Sequence, residues 1–300
     1  MEIPTNRSKD LLNVLEERIA ILDGAMGTMV HALGLDEQGF RGELFREHDC
    51  DLKNCIDVLT LSQPDAIRNI HASFLEAGAD IIETNTFGAT PIALADFGLS
   101  NQTRDMNLAA CKIAREEADR FTAQNPNKPR FVAGSIGPTN KQLSIAGNVA
   151  DPGHRDVTFD EMVRCYREQV EALIDGGVDV LFPETAFDTL VLKAALYAIE
   201  DVFFDRKIRL PVWASFTIFE GGRTLSAQTV DACYQSICHA DLFCIGINCA
   251  LGPDKLRPYL ADISRICPVL VSCYPNAGLP NALGGFDITP SMMASVIGEF

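Results

Sequence analysis

The sequence predicts an α/β fold of parallel strands, most simply a (β/α)8 TIM barrel truncated after its seventh strand. Three observations predict it. Seven short runs, 19–24, 79–84, 130–137, 178–184, 211–217, 242–248 and 268–274, are continuously apolar rather than alternating, as strands covered on both faces are. Amphipathic helical stretches separate them, which is the β-then-α order of a parallel sheet. Polar residues collect directly after the runs, at the strand ends where barrel enzymes build their sites. A chain of 300 residues is an ordinary length for one such barrel, so residues 1–300 are read as a single domain.

Each element has its own local reason. The opening MEIPTNRSKDLLNVLEER is polar and helical, and it lacks the apolar core of a signal peptide. Run 19–24 ends on Asp23-Gly24, and the following GAMG lacks the spacing of a dinucleotide-binding turn. Residues 31–61 form one oversized loop, expected over the top face. In 62–78, Ser62 and Asp65 suggest a helix N-terminus, Ile67, Ile70, His71 and Phe74 share a face, and Gly78 ends the helix. Segment 158–177 opens with Thr158 and Glu161 and carries a stripe of Met162, Cys165, Tyr166, Val170 and Leu173. The segments 76-EAGADII-82 and 175-DGGVDVL-181 echo each other as helix end, glycine turn and buried strand. Residues 289–300 read as the helix after the seventh run, so an eighth strand is missing from the pattern.

Composition narrows the function. Lysine and arginine number 25 against 41 aspartates and glutamates, a net charge of −16, which argues against a nucleic-acid partner. No stretch approaches the roughly 18 consecutive apolar residues of a membrane span. Ten scattered cysteines without a CxxC fit free thiols in a reducing cytoplasm.

At the run ends stand Asp23, Glu83 to Thr86, Gly137 to Asn140, Glu184, Thr185, Asp188, Thr217, Asn248, Cys249 and Asn276. Asp23 and Glu184 suit either general acid–base work or an ammonium ligand. The amides at Met26 and Gly27, in a glycine-bearing turn into a helix, can hold an anion. Together these would suit an amino acid. On its own, Cys249 reads more readily as a small buried hydrophobe than as a ligand or a nucleophile, which would want a nearby histidine. The five histidines show no partner pattern, and no paired-cysteine or HxxxH metal spacing is present. A lyase or aldolase with Glu184 as base is disfavoured, because no lysine stands at a strand end.

The motifs 21-ILDGAMGTM-29, 78-GADIIETNTFGAT-90, 134-GSIGPTNK-141, 183-PETAFDT-189, 223-RTLSAQT-229, 246-GINCALGPD-254 and 275-PNAGLPNA-282 resemble the homocysteine S-methyltransferase family. Residues 41-RGELF-45 and 50-CDLKNCIDVLTLSQP-64 resemble its cobalamin-dependent methionine synthase branch, whose homocysteine-binding module is the closest likeness. The resemblance implies a (β/α)8 barrel with Zn2+ held by three thiolates and homocysteine sulfur in the fourth position. By it, Cys249 is the first zinc ligand, Asp23 and Glu184 hold the substrate ammonium, and Met26 and Gly27 take its carboxylate. Thr84 is a further contact. Methylcobalamin is the implied methyl donor, carried with cobalamin- and folate-binding modules on a longer chain or a separate polypeptide. The family's adjacent cysteine pair is absent from these residues. The alternative expectation is therefore a non-catalytic or complementing fragment.

Overall fold

The computed structural model describes residues 6–145, 147, 150–278 and 288–300. Helices α1 (Asn6–Glu17), α2 (Met26–Ala32), α3 (Glu37–Arg41), α4 (Leu59–Ser62) and α5 (Pro64–Ala77) precede strand β1 (Ile81–Glu83). Then follow α6 (Pro91–Leu94), α7 (Thr103–Gln124), β2 (Phe131–Ile136), α8 (Phe159–Asp175), β3 (Val180–Pro183) and α9 (Thr189–Arg206). The chain continues through β4 (Trp213–Thr217), α10 (Val230–Ile237), β5 (Cys244–Asn248), α11 (Pro253–Ile266), β6 (Leu270–Tyr274) and α12 (Pro290–Ile297).

All strand pairs are parallel. β1-β2-β3 form one ladder and β4-β5-β6 another. Bridges Leu181–Val212 and Ala186–Phe216 join the two, with the Ala186 amide donating to the Ser215 carbonyl at 2.9 Å. The first apolar run enters at the other edge through the bridge Leu22–Ile81, with the Asp23 amide on the Ile81 carbonyl at 2.9 Å. Seven segments thus lie side by side in chain order, at the seven places the sequence marks. Run 19–24 is reduced from a strand to one bridge, with Ile19 and Ile21 85% and 55% exposed among the described residues.

Side chains alternate between two cores, as the strand period requires. One face carries Ile81, Phe131, Ala133, Val180, Phe182, Trp213 and Cys244, and Leu11 of α1 plugs it from below. The other face packs on the helices through Ile82, Val132, Leu181, Ala214, Phe216, Ile245 and Ile247. Gly246 lies on the first face, where Ser272 presses against it. A Cβ there would sit 1.9 Å from the Ser272 hydroxyl and 2.9 Å from its carbonyl oxygen. That hydroxyl accepts from the Trp213 indole at 2.7 Å, so it cannot simply swing away. Gly246→Ala is expected to lower stability by about 1–3 kcal/mol, the usual cost of overpacking, read as the shift of a urea midpoint.

The repeated Gly-x-Asp echo has a shared cause. Asp80 and Asp179 stand just before β1 and β3, buried at the lower pole. Each accepts an amide from the preceding strand: Ile21 to Asp80 at 2.9 Å, and Val132 to Asp179 at 2.8 Å. Each also takes an arginine, with Arg18 forking onto both Asp80 oxygens at 2.7 and 2.8 Å and Arg7 meeting Asp179 at 3.2 Å. The aspartate therefore sets the height of one strand against its neighbour.

Thr158 and Glu161 form the capping box the sequence predicts for α8. Helix α5 instead begins at Pro64 with Gln63 as its cap, since proline at the first position needs no amide partner; Ser62 ends α4 and caps nothing. The 31–61 stretch is not an open loop. It holds α3, α4 and a 3-10 turn at 56–58, and the Glu37 carboxylate accepts the amides of Leu52 and Lys53. Among the described residues no helix is long and apolar enough to cross a membrane, and all ten cysteines are free thiols.

Candidate active site

The strands end in a pocket built from short hydrogen-bonding steps. Asp23 follows the Leu22 bridge, and its Oδ2 accepts the Glu83 amide at 3.0 Å. Its Oδ1 is buried with no partner among the described residues. Glu83 is the last residue of β1. Glu184 follows β3, and its amide donates to the Ile136 carbonyl at 3.0 Å. Glu184 is 6% exposed and receives three hydroxyls: Ser135 on Oε1 at 2.5 Å, then Thr185 and Tyr274 on Oε2 at 3.2 and 3.3 Å.

The same web runs on to the thiol. Ser215 donates to the Asn248 carbonyl oxygen at 2.8 Å and pairs with the Tyr274 hydroxyl at 2.8 Å. The Asn248 amide donates to Thr185 Oγ1 at 2.8 Å and to Cys249 Sγ at 3.0 Å. Thr185, Cys249 and Ala250 all have φ between 52° and 59° without being glycine, conformations that cost free energy and gather at working sites. Thr217, one inward rung above Ser215 on β4, is 5% exposed, and its hydroxyl has no partner among the described residues.

Electrostatics follow from burial. Burial, opposed by the Glu83 amide and reinforced by the charge of Glu184, pushes the Asp23 carboxyl well up. Burial and then the charges of Glu184 and Asp23 push Glu83 well up. Burial also raises Glu184, less far, because the Ser135, Thr185 and Tyr274 hydroxyls hold its anion. Burial raises the Cys249 thiol too, the Asn248 amide offsetting part of the rise and the Glu184 charge adding to it. The pocket thus favours a bound cation and disfavours a thiolate.

Of the residues named from the sequence, Asp23 and Glu184 stand on one acidic patch, joined through Glu83. Cys249 joins them through Asn248 and Thr185. Met26 and Gly27 open α2, which carries no side-chain cap at Ala25. Gly24 is required between them and Asp23, since a Cβ there would lie 2.8 Å from the Phe74 ring. Thr84 is placed differently: its hydroxyl accepts the Ser135 amide at 3.1 Å and pairs with Thr86 at 2.6 Å, and it is buried. Asp188 caps α9 and accepts the Leu143 and Ser144 amides, a structural task. Cys273 packs into the helix-side core, on the opposite face of β6 from Tyr274. From Leu279 onward the 275–282 motif lies outside the described residues.

Sequence reasoning named Glu83 and Thr217 at run ends without a role and missed Ser215 and Tyr274 altogether. Strand alternation was the available signal: Glu83 and Thr84 are neighbours and must face opposite ways.

The family model for homocysteine S-methyltransferases matches residues 20–300. Among solved structures, the chain is similar to the metallated form of the homocysteine methyltransferase MmuM from Escherichia coli, at 23% identity and a TM-score of 0.71. That match covers 96% of this chain and 99% of that one. The apo form of the same enzyme matches at 22% identity and a TM-score of 0.66, covering 95% and 98%. At such identity the likeness concerns the fold.

Proposed function

The chain belongs to the homocysteine S-methyltransferase family, and from that premise we propose that its pocket binds homocysteine for methylation at sulfur. The observation that carries this is a pair of strand-end carboxylates, Asp23 with Oδ1 buried and unpartnered among the described residues and Glu184 ringed by the Ser135, Thr185 and Tyr274 hydroxyls, in one web with the Cys249 thiol through Thr185 and Asn248. The ammonium of the amino acid sits against Asp23 and Glu184. Its carboxylate lies at the first amides of α2, Met26 and Gly27. The side chain then runs toward Cys249. The order of seven parallel segments supports reading residues 1–300 as one (β/α)8 barrel with this pocket at its upper end. Methylcobalamin, delivered on a cobalamin-binding module beside a folate-binding one, is the proposed donor, supported by the 41–45 and 50–64 resemblance.

Among the described residues no group of three or more His, Cys, Asp or Glu side chains is arranged to hold a metal ion. Cys249 has an amide at its sulfur, and Cys273 faces away. These residues do not fit a three-thiolate zinc site. Homocysteine sulfur, as a thiol of pKa near 8.5, needs activation that the acidic pocket does not provide. This misfit favours a second reading, a homocysteine-binding module that does not turn over alone.

Both readings are tested by incubating the chain with L-homocysteine, methylcobalamin and added zinc, and measuring homocysteine binding and methionine formed. Binding with methionine formation supports the transferase. Binding without turnover supports the module. Absence of binding by a folded chain removes the homocysteine assignment.

A further inference from the structure

Among the long helices α5, α7, α8, α9 and α11, α9 alone presents large apolar side chains to solvent. They are Leu190, Tyr197 and Phe204, which are 36%, 59% and 67% exposed. They recur every seven residues, two helical turns, so they stand one above another on the outer face. Val191, Ala195, Ala198 and Val202 take the opposite, buried face. Apolar side chains scattered singly over a surface need no explanation, but an aligned row marks an interaction face. Neighbours within the chain do not cover it. Phe159 meets the Tyr197 ring edge-on at 6.3 Å, and Lys207 Nζ lies 3.9 Å from the Phe204 centroid, yet both rings stay more than half exposed.

The charges on the same face identify the partner. Lys193 and Asp201 fall with the three apolar residues inside an arc of roughly 80° at 3.6 residues per turn. Lys193 has no acidic partner among the described residues. Asp201 meets Arg167 of α8 and is still 39% exposed at its side chain. Leu190 and Phe204 lie at equal distances before and after Tyr197 in the helix, and so do Lys193 and Asp201. A face with this symmetry of apolar groups and antisymmetry of charge is complementary to itself under a two-fold axis. A second α9 turned end for end brings Leu190 onto Phe204, Lys193 onto Asp201 and Tyr197 onto itself. A second α9 laid parallel would set Lys193 on Lys193 and Asp201 on Asp201, which is repulsive. A partner of another kind gives no reason for opposite charges at matched distances.

We propose that the outer face of α9 is a two-fold interface on which a second copy of this chain docks antiparallel, with its axis at Tyr197. Helices packed in this way lie about 8–10 Å apart, within reach of an ion pair between Lys193 and the partner's Asp201. One helix pair is at the small end of specific interfaces, so the dimer exchanges with single chains at roughly micromolar concentration.

The test is sedimentation velocity of the 300-residue chain from about 1 to about 200 µM, which brackets that affinity. The expected mass rises from one chain to two. Tyr197→Glu places like charges on the axis and should stay a single chain throughout, with unchanged circular dichroism. Lys193→Glu should weaken association by about tenfold, and adding Asp201→Lys should restore it, because the pair is then reversed rather than lost. A native chain that stays single at every concentration overturns the proposal, whether or not any variant folds. Association that survives Tyr197→Glu lies on another face and overturns it. Association unmoved by Lys193→Glu, or not restored in a folded double variant, overturns the end-for-end register. Growth beyond two chains overturns it as well, since a two-fold contact closes on itself. If Asp201→Lys prevents folding through its loss of Arg167, the native chain and the two single variants still decide.

Discussion

Glu184→Gln is expected to weaken binding of L-methionine or L-homocysteine by roughly 10- to 100-fold while the fold is retained. The size follows from the loss of a hydrogen bond to a charged group, about 1.5–3 kcal/mol, at 1.4 kcal/mol per decade. The change keeps volume and shape. The amide oxygen can still accept from Ser135, whose hydroxyl lies 2.5 Å from Oε1. What it cannot supply is the negative charge opposite the ammonium. Its NH2 would also face the Thr185 and Tyr274 hydroxyls, which both donate to Oε2 in the native chain. Affinity by titration and the urea midpoint should be read together. A fall in affinity with an unchanged midpoint assigns Glu184 to the ligand. A fall in midpoint with unchanged affinity would make the residue structural and remove the ammonium subsite. Thr84→Ser is the contrasting case. The structure gives that hydroxyl to the Ser135 amide and Thr86, so retaining it should leave affinity near the native value.

The strands were legible because a parallel strand buried on both faces needs no context to be recognised. The runs at 130–137, 178–184, 211–217 and 242–248 are mostly apolar and do not alternate, and β2 to β5 lie within them. The first run was legible in place but not in extent. Ile19 and Ile21 have the composition of a strand, yet a strand also needs a covering face, and composition cannot say whether one exists. Residues 31–61 hid α3 and α4 because their order comes from tertiary bonds, such as Glu37 reaching across fifteen positions to the Leu52 amide.

The site was half legible for a related reason. Asp23 and Glu184 follow apolar runs and stand out as charges. Glu83 was named among the run-end residues but given no role, because only the fold brings its charge near those of Asp23 and Glu184. Tyr274 and Ser215 are unremarkable in sequence. Their meaning comes from a hydrogen bond between residues 59 positions apart, the Ser215–Tyr274 contact. The Cys249 to Glu184 linkage depends on three strands ending at one height, which the register sets and no local pattern reveals.

Trp213→Ala should carry the largest stability cost of any single change here, about 3–5 kcal/mol, from the range for aromatic-to-alanine truncation in a core. Against a total of about 5–15 kcal/mol for a typical domain, that leaves little or nothing in reserve. Trp213 is 4% exposed and stacks on Phe182 with centroids 4.0 Å apart and planes at 20°. Phe243 meets its edge at 6.4 Å, and its indole donates to Ser272 at 2.7 Å. Alanine would forfeit those contacts, open a cavity, and leave the Ser272 hydroxyl without its donor. The cavity would lie directly beneath the site, since Ser215 is the next inward residue of β4 and holds Asn248 and Tyr274. Trp213→Phe should recover most of the packing but not the Ser272 bond, at a cost nearer 1–2 kcal/mol. Trp213 is the chain's single tryptophan, so urea unfolding of the native chain can be followed by its own fluorescence, and of the variants by circular dichroism. A loss below about 1 kcal/mol for Trp213→Ala would show that this face of the strands is not the packed support of the pocket.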